Sequence, residues 1–364
     1  MQKSYDVIVI GGGIIGLSLA WELSRKSANV VVIERREPGQ EASHAGGGMI
    51  ADLDPVLPVE LLELAHRSAN LYPKFVNELS AESELPIDLR DNGVIAFEQH
   101  PIAEREGIRK ITAEHALSLE PKLTIPPDPA YTMSERAVDP RDLVSALVRA
   151  LNKRQVEIIS GETVQQIQVS HGHATGVLTD RASYAAHLVV NCAGAWASQI
   201  ASAGKKLPTL PVKGHMVALA FPDELTMSPA DRETHRVLRH VLRSRWCYII
   251  PRSNGRYVVG STVEPAGFDK SLNAYRVKRL QDAAARLIPL FAEAQIAEAW
   301  TGLRPGTPDN LPLLGATEVD GYFAATGHYR DGILLTPVTA EVMCELILNG
   351  KSPVSLQRFS PLRF

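Results

Sequence analysis

Two arginines in the C-terminal part of the chain have sequence surroundings that indicate ligand binding rather than surface charge. Arg304 lies in G-L-R-P-G, among apolar and conformationally special residues, and Arg330 lies in a glycine-bounded loop before the last predicted helix. The planar guanidinium group of arginine can bind both oxygens of a carboxylate. Arg304 therefore predicts a carboxylate clamp or an ion pair with a buried acid. Arg330 predicts a substrate contact, a gate at the mouth of a site, or a surface charge.

A glycine-rich turn near the N-terminus predicts a dinucleotide site. An apolar run is followed by Gly11, Gly13 and Gly16 in G-x-G-x-x-G spacing, then by a helical segment and a second apolar run that ends in Glu34. Gly11 permits the tight turn, Gly13 lets the backbone approach a pyrophosphate, and Gly16 lets the helix pack closely on the strand. Glu34 is placed to accept hydrogen bonds from a ribose 2′-OH. The alternative is a buried strand–helix–strand unit with a coincidental turn.

Three consecutive glycines, residues 46–48, lie in the loop after the second apolar run and directly precede apolar residues 49–51. Such a cluster does not favour regular structure, and the apolar residues after it indicate burial. We interpret it as backbone that passes close to a flat group such as a flavin ring. A flexible surface loop is the alternative.

The elements that must position these residues follow two patterns. Segments 6–10, 30–33, 156–159 and 187–192 read as buried strands that alternate with helices, which is typical of a doubly wound α/β sheet. Residues 210–263 instead read as strands separated by turns, so we expect a second unit built on an antiparallel sheet.

Composition restricts the class of protein. The 364 residues carry 38 lysines and arginines against 41 acids, a formal net charge of −3 that gives no basic surplus for nucleic acid or an anionic membrane. Cys192, Cys247 and Cys344 are far apart and without C-x-x-C spacing, so we expect no metal site and a reducing compartment. No apolar run reaches the roughly 18 residues of a membrane span, and the N-terminal residues lack a signal-peptide pattern. We therefore expect a cytoplasmic protein.

Several motifs together resemble the D-amino-acid oxidase family of flavoproteins, and within it the glycine oxidases of the thiamine-biosynthesis type. They are G-G-G-I-I-G at 11–16, W-T-G-L-R-P-G-T-P-D at 300–309 and G-H-Y-R-D-G-I at 327–333. P-V-K-G at 211–214, C-Y-I-I-P-R at 247–252 and V-V-G-S-T-V at 258–263 add to the likeness, which spans essentially the whole chain.

The resemblance implies an FAD enzyme that oxidises glycine, and also sarcosine and small D-amino acids, to an imine that water hydrolyses. O2 would reoxidise the flavin and give H2O2, and the imine would supply thiazole assembly in thiamine biosynthesis. The family also implies a homo-oligomer, a dimer or tetramer. No protein acid or base is required if the amine binds deprotonated and hydride leaves Cα for flavin N5, so we assign no catalytic residue.

The resemblance also implies the site residues. Arg304 and Tyr248 would hold the substrate carboxylate, and Arg330 would bind substrate or gate the site, although a tyrosine in a strand is usually only part of the core. For His328 a packing or backbone-bonding role is the stronger interpretation. The implied contacts with FAD are Gly11, Gly13, Ile14, Ile15, Gly16, Glu34, Arg35, Ala42, Ser43, Gly47, Gly48, Met49, Val164, Gly194, His328, Tyr329, Arg330, Asp331, Gly332, Ile333 and Leu334.

Two positions depart from the patterns of related flavoproteins. Val263 stands where related amine oxidases carry a lysine above the flavin, so the oxygen step has no assigned residue. His44 resembles the attachment histidine of covalent flavoproteins, but the glycine oxidases lack it and no cysteine lies near 304–315. We therefore expect non-covalent FAD.

The expected fold class is α/β, with a Rossmann-like FAD-binding domain interleaved with an antiparallel-sheet α+β substrate domain. The FAD-binding domain would comprise 1–80, 138–206 and 297–364, and the substrate domain 81–137 and 207–296. Two alternatives remain: a D-amino-acid or sarcosine oxidase or dehydrogenase of the same fold, and a flavin-binding tRNA-modification module. The latter should carry a basic face, which this composition does not favour.

Overall fold

The structure, a computed structural model, describes residues 4–126 and 128–364, except for the side chain of Thr234. The α-helices are α1 (Ile14–Arg25), α2 (Ala42–Ala45), α3 (Leu62–Ser83), α4 (Ala113–Leu119), α5 (Pro140–Lys153), α6 (Pro222–Thr226), α7 (Pro229–His235), α8 (Ala274–Leu287) and α9 (Thr336–Asn349). Short 3-10 helices are formed by Val59–Leu61, Gly194–Gln199, Pro289–Ala292, Gln357–Phe359 and Pro361–Arg363.

The strands form three sheets. They are β1 (Ser4–Ile10), β2 (Val30–Glu34), β3 (Met49–Ile50), β4 (Leu89–Arg90), β5 (Val94–Phe97), β6 (Ile108–Ile111), β7 (Ala130–Met133), β8 (Arg136–Val138), β9 (Glu157–Ser160), β10 (Val164–Ser170), β11 (His173–Thr179), β12 (Ser183–Asn191), β13 (Leu210–Ala220), β14 (Val241–Arg243), β15 (Tyr248–Pro251), β16 (Arg256–Gly260), β17 (Gln295–Gly306), β18 (Leu313–Ala316) and β19 (Tyr322–Thr326). A small sheet of β3, β8 and β4 lies apart from the two large ones.

The first large sheet has a parallel centre in the order β9-β2-β1-β12-β19. Its strands are rich in valine and isoleucine, as strands buried on both faces usually are. Val7 and Val32 pack with helices α1, α3, α5 and α9, whereas Ile8 and Ile33 pack with strands β10 to β12 on the other face. The predicted alternation of parallel strands and helices is confirmed. The sheet is not doubly wound, however, because helices cover one face and strands β10 to β12 cover the other.

The second large sheet has the order β17-β13-β16-β15-β14-β5-β7-β6 and is antiparallel except between β14 and β5. One of the turns expected within residues 210–263 lies at 253–255, where it joins β15 to β16 as an antiparallel hairpin. Strands β13 and β17 pair along their length, so that Gly214 faces Gly302 and Val212 faces Arg304. This register brings the predicted carboxylate clamp onto the second sheet.

Strand β17 was not predicted as a strand. Its C-terminal half contains glycine and proline, which have low strand propensity, but β17 lies at the edge of the sheet, where proline is tolerated. The predicted domain boundary between residues 296 and 297 falls inside this strand. The antiparallel extension of the first sheet by β10 and β11 was also missed. In the part of the chain that the structure describes, no helix is long and apolar enough to span a membrane.

Candidate active site

A cavity of about 400 Å³ runs from the carboxyl ends of β1 and β2 to the paired strands β13 and β17. Its position agrees with the rule that open α/β sheets bind ligands at the carboxyl ends of their strands. The predicted residues that line it are Gly11, Gly13, Ile14, Ile15, Glu34, Arg35, Ala42, Ser43, Gly47, Val164, Gly194, Tyr248, Arg304, His328, Tyr329, Arg330, Gly332 and Ile333. The structure therefore brings both ends of the predicted site into one space.

The glycine turn has little room for side chains. Gly11 has a φ of +103°, and a Cβ there would lie 2.6 Å from the Cys192 carbonyl oxygen. A Cβ at Gly16 would lie 2.0 Å from the carbonyl oxygen of Gly11, so helix and strand pack as closely as predicted. Gly13 differs, since its Cβ would meet only Ser43 Oγ at 3.4 Å, on the wall of the cavity.

Glu34 is buried at the end of β2, where two backbone groups hold its carboxylate. The N–H of Gly12 donates to Oε2 at 2.7 Å and the N–H of Arg36 donates to Oε1 at 2.9 Å. Each carboxylate oxygen has further acceptor capacity, and Glu34 lines the cavity. The geometry thus suits acceptance of hydrogen bonds from ribose hydroxyls.

The loop before α9 forms another wall of the cavity. The Tyr72 hydroxyl donates to the Ile333 carbonyl oxygen, and Ser68 Oγ donates to the Leu334 carbonyl oxygen at 2.6 Å. Burial lowers the pKa of His328 to about 3, so this imidazole is neutral at ordinary pH. Its Nε2 lies 3.1 Å from Thr339 Oγ1, which agrees with the structural role expected for it.

Arg304 is held by neutral oxygens. Its Nη2 donates to Ser261 Oγ at 2.7 Å and its Nη1 donates to the Thr262 carbonyl oxygen at 3.1 Å. Among the described residues no carboxylate forms a salt bridge with it, so the ion pair with a buried acid is not present. Burial lowers the pKa of Arg304, which reflects the cost of a charge withdrawn from water without an anion. The cavity therefore offers a site for an external anion.

Tyr248 lies beside this guanidinium group. A Cβ at Gly47 would lie 2.9 Å from the Tyr248 ring, and a Cβ at Gly260 would lie 2.5 Å from it, so two glycines make room for the side chain. The hydroxyl donates to Met216 Sδ at 3.3 Å, and a thioether sulfur is only a weak acceptor. The Tyr248 hydroxyl can therefore turn to a stronger acceptor in the cavity.

Arg330 is exposed at the mouth of the cavity, and its neighbour Asp331 lies just outside the lining. Burial raises the pKa of Asp331 to about 6, although the charge of Arg330 acts to lower it.

Five predicted cofactor contacts do not line the cavity: Gly16, Gly48, Met49, Asp331 and Leu334. Gly48 is a packing position, since a Cβ there would lie 1.9 Å from the Val138 carbonyl oxygen. Met49 pairs with Ala137 in the small sheet.

Glu41, Glu162, Trp196, Gly214 and Met216 line the cavity but were not predicted as contacts. Glu162 and Trp196 follow the carboxyl ends of β9 and β12, a position that the parallel-strand pattern could have indicated. Gly214 and Met216 lie on β13, and their approach to the site depends on the register with β17. No local signal in the sequence marks that register.

The His44 side chain is not part of the cavity wall. Its Nε2 lies 3.7 Å from Glu298 Oε1, and Glu298 is also bound by both terminal nitrogens of Arg141. Val263 likewise does not line the cavity.

The lining residues fit FAD. At the N-terminus of α1 the N–H of Ile14 donates to Ser43 Oγ at 2.9 Å, and the other N–H groups of the first turn remain for a pyrophosphate, since Gly13 has no side chain to cap them. Glu34 suits the ribose, and the backbone at 46–47 and 332–333 borders the part of the cavity that leads to Arg304. The volume lies within the range of small-molecule and cofactor sites.

Comparison with known proteins agrees with this geometry. Residues 6–346 match the family model of the DAO group, described as FAD dependent oxidoreductase. The chain is 32% identical to the glycine oxidase of Geobacillus kaustophilus, with 100% of this chain and 98% of that protein covered. The crystal structure of glycine oxidase from that organism matches with a TM-score of 0.90 over 100% of both chains, at 29% identity.

A bifunctional ThiO/ThiG protein of a Synechocystis species is 35% identical over 100% of this chain. The match covers 55% of that relative, so this chain spans about half of its length.

Proposed function

We propose, from the premise that this chain belongs to the DAO family of FAD-dependent oxidoreductases, that it is a glycine oxidase. It would convert glycine, O2 and water to glyoxylate, ammonia and H2O2 by way of the imine. Bound FAD would supply the chemistry that accepts a hydride from the substrate Cα and returns the electrons to O2. The similarity to glycine oxidases over the full chain supports this proposal.

The single observation that carries the proposal is the half-buried guanidinium group of Arg304, which faces the cavity and, among the described residues, has neutral oxygens as its hydrogen-bond partners. A buried charge without a counter-ion is costly, and a bound carboxylate relieves that cost. The site is thus built for a substrate that brings its own carboxylate.

The protein's contribution to the reaction is orientation. Arg304 would bind the carboxylate through two N–H groups, and Tyr248 would donate a third hydrogen bond once its hydroxyl leaves Met216 Sδ. These contacts fix the direction of Cα–H relative to the cavity wall at 46–47. Neutral His328 makes no contact that marks it as a base, and we assign no catalytic acid or base.

Further features belong to the proposal. The predicted cofactor contacts that line the cavity would hold FAD without a covalent bond, since His44 pairs with Glu298 outside the cavity wall. We also propose the domain division given above, a homo-oligomeric state, a cytoplasmic location and a role for the imine in thiazole assembly. The likeness to a protein named ThiO/ThiG supports the last of these.

The test is H2O2 production by the purified holoenzyme with glycine, sarcosine, D-alanine and D-proline. We expect peroxide with each, and the highest kcat/KM with glycine. A preference for D-proline or D-alanine would move the assignment to a D-amino-acid oxidase. Reduction of an artificial electron acceptor by glycine without any peroxide would indicate a dehydrogenase instead.

A further inference from the structure

The chain between β16 and α8, residues 261–273, touches both ends of the cavity. It leaves β16 at Gly260 and enters α8 at Ala274. Its first two residues are those that hold Arg304, through Ser261 Oγ and the Thr262 carbonyl oxygen. We call it the 261–273 segment.

The middle of the 261–273 segment is fixed to the second sheet by polar contacts. Lys213, which is buried, places its Nζ 2.8 Å from Asp269 Oδ2. Buried His215 lies 2.9 Å from Glu264 Oε1 through its Nδ1. The Thr301 hydroxyl donates to the Lys270 carbonyl oxygen at 2.7 Å. These contacts fix the segment against strands β13 and β17 of the second sheet.

Two of its side chains reach the end of the cavity where Glu34 lies. Lys270 Nζ donates to Glu41 Oε2 at 2.7 Å, and Arg35 Nη2 donates to Glu41 Oε1 at 2.5 Å. The Phe268 ring lies 5.4 Å from the Trp196 ring, centroid to centroid.

Arg35 connects the Lys270–Glu41 contact with the Phe268–Trp196 contact. It binds Glu41, and its guanidinium carbon also lies 3.5 Å from the centre of the Trp196 ring. Arg35, Glu41 and Trp196 line the cavity and follow strands of the first sheet. Lys270 and Phe268 belong to the 261–273 segment, and they contact Glu41 and Trp196 from outside the cavity.

We propose that Phe268 and Lys270 retain the cofactor by holding Arg35, Glu41 and Trp196 against its adenosine end. The inference rests on FAD occupying the cavity with its ribose at Glu34. Loss of either residue frees one of the cavity residues to move, so FAD dissociates faster. Lys270 and Arg35 both neutralise the Glu41 carboxylate, so loss of Lys270 also leaves more negative charge on the cavity wall.

The experiment measures the FAD dissociation constant by titrating apoprotein with FAD and following flavin fluorescence. We expect Phe268→Ala to raise it roughly five- to tenfold, in line with the loss of one aromatic contact, and Lys270→Met to raise it roughly two- to fivefold, in line with the loss of one partly exposed ion pair. The double variant should raise it further. Lys270→Arg keeps the charge at Glu41 and should restore a dissociation constant within twofold of that of the unmodified protein.

The matched control is Leu272→Ala, which removes an exposed apolar side chain from the same segment, 51% accessible, away from the cavity. It should leave the dissociation constant unchanged. The thermal midpoint of each apoprotein separates loss of the fold from loss of retention. A double variant that binds FAD within twofold of the unmodified protein would overturn the proposal. A chain that binds no FAD at all would instead contradict the assigned cofactor.

Discussion

At the scale of single residues, the site depends on glycines as much as on its functional side chains. A Cβ at Gly214 would lie 2.3 Å from Arg304 Nη1, so only glycine lets the guanidinium group lie across β13. Gly47 and Gly260 make the same kind of room for Tyr248. Glycines from three separate parts of the chain therefore leave the space that the two predicted substrate-binding side chains occupy.

Gly214→Ala should displace the Arg304 guanidinium group and weaken the carboxylate clamp. We expect the KM for glycine to rise roughly tenfold to a hundredfold, equivalent to about 1.4 to 3 kcal/mol. FAD should stay bound, because Gly214 lies on β13 and not on the glycine turn. Steady-state peroxide assays with the flavin content measured in parallel check this. Gly204→Ala, whose methyl group would meet the side chains of Glu318 and Val319 away from the cavity, is the control. A KM unchanged in both variants would contradict the geometry.

Asp331 should make stability depend on pH. Burial raises its folded-state pKa to about 6 from an ordinary value of 3.8, so between those pH values the unfolded chain releases a proton that the folded chain retains. The free energy of unfolding should therefore fall as pH rises from 4 to 6, by at most about 3 kcal/mol, since one pKa unit corresponds to about 1.4 kcal/mol.

Asp331→Asn should lack this contribution. Urea unfolding of both holoproteins at pH 4, 5, 6 and 7 measures it as a stability difference that changes between pH 4 and 6 and is constant above. Parallel curves for the two proteins across the whole range would show that Asp331 titrates normally.

Much of the site could be predicted from residue types and their spacing in the sequence. Arg304 and the glycine turn could be recognised from their neighbours in the sequence, because proline and glycine around an arginine, or glycines between two apolar runs, are local signals. The need for glycine at 214 could not, since it arises only when β13 pairs with β17 and Arg304 crosses it. Glu41 was missed for the same reason, as its role comes from contacts between distant segments, whereas the position of Trp196 after β12 could have been recognised.

At the scale of elements, α3 and α9 hold the loop that forms one wall of the cavity. The sequence predicts a helix start at Thr336 whose preceding N–H groups point toward the flavin. In the structure the N–H of Thr336 donates to the Ile333 carbonyl oxygen, and the N–H of Val338 donates to Ser68 Oγ. Among the described residues no acceptor takes the N–H of Gly332 or Ile333, so these are the groups free to meet a ligand.

Tyr72→Phe tests whether α3 positions this wall. The change leaves the buried Ile333 carbonyl oxygen without its donor, which should lower the free energy of unfolding by about 1 to 3 kcal/mol. Because Ile333 lines the cavity, we also expect the FAD dissociation constant to rise roughly fivefold. Fluorescence titration and urea unfolding provide the two values.

Tyr5→Phe is the matched control for Tyr72→Phe. It removes a tyrosine hydroxyl that donates to Glu157 at 2.7 Å, away from the cavity. It should leave FAD binding unchanged. Equal effects of the two substitutions on FAD affinity would rule out a specific role for Tyr72.

Regular elements were easier to predict than irregular ones. Asp139 followed by proline is a strong local signal for a helix start, and in the structure Asp139 caps α5. The apolar runs predicted as strands of the parallel sheet are confirmed. Strand β17 has none, since its backbone pairing with β13 overrides the low strand propensity of its glycines and proline. Strand β17, which contains Arg304, therefore could not be predicted from local signals in the sequence.

At the scale of the whole molecule, the cavity lies between the two large sheets, and residues of both line it. Buried Arg252, which follows β15 of the second sheet, donates to the Gly47 carbonyl oxygen, in the loop after α2, at 2.5 Å. A ligand that fills this space touches both sheets at once. Ligand binding in the cavity should therefore stabilise the two large sheets together.

FAD should raise the stability of the apoprotein. At a free concentration 100 times its dissociation constant, a ligand specific for the folded state adds about 2.7 kcal/mol to the free energy of unfolding. We expect the thermal midpoint to rise by several degrees and the unfolding of the two sheets to remain a single transition. Calorimetry of apoprotein and holoprotein measures both. Two separate transitions in the holoprotein would show that the cavity does not couple the sheets.

The most direct test of the account is reduction of the bound flavin by glycine without oxygen, followed by flavin absorbance in rapid mixing. In the unmodified protein, we predict that glycine bleaches the flavin at a rate that saturates with concentration. In Arg304→Met, we predict an unchanged flavin spectrum but reduction slower by at least about a hundredfold at the same glycine concentration. Reduction at the same rate in both proteins would contradict the carboxylate clamp, and a flavin that glycine does not reduce at all would contradict the proposed function.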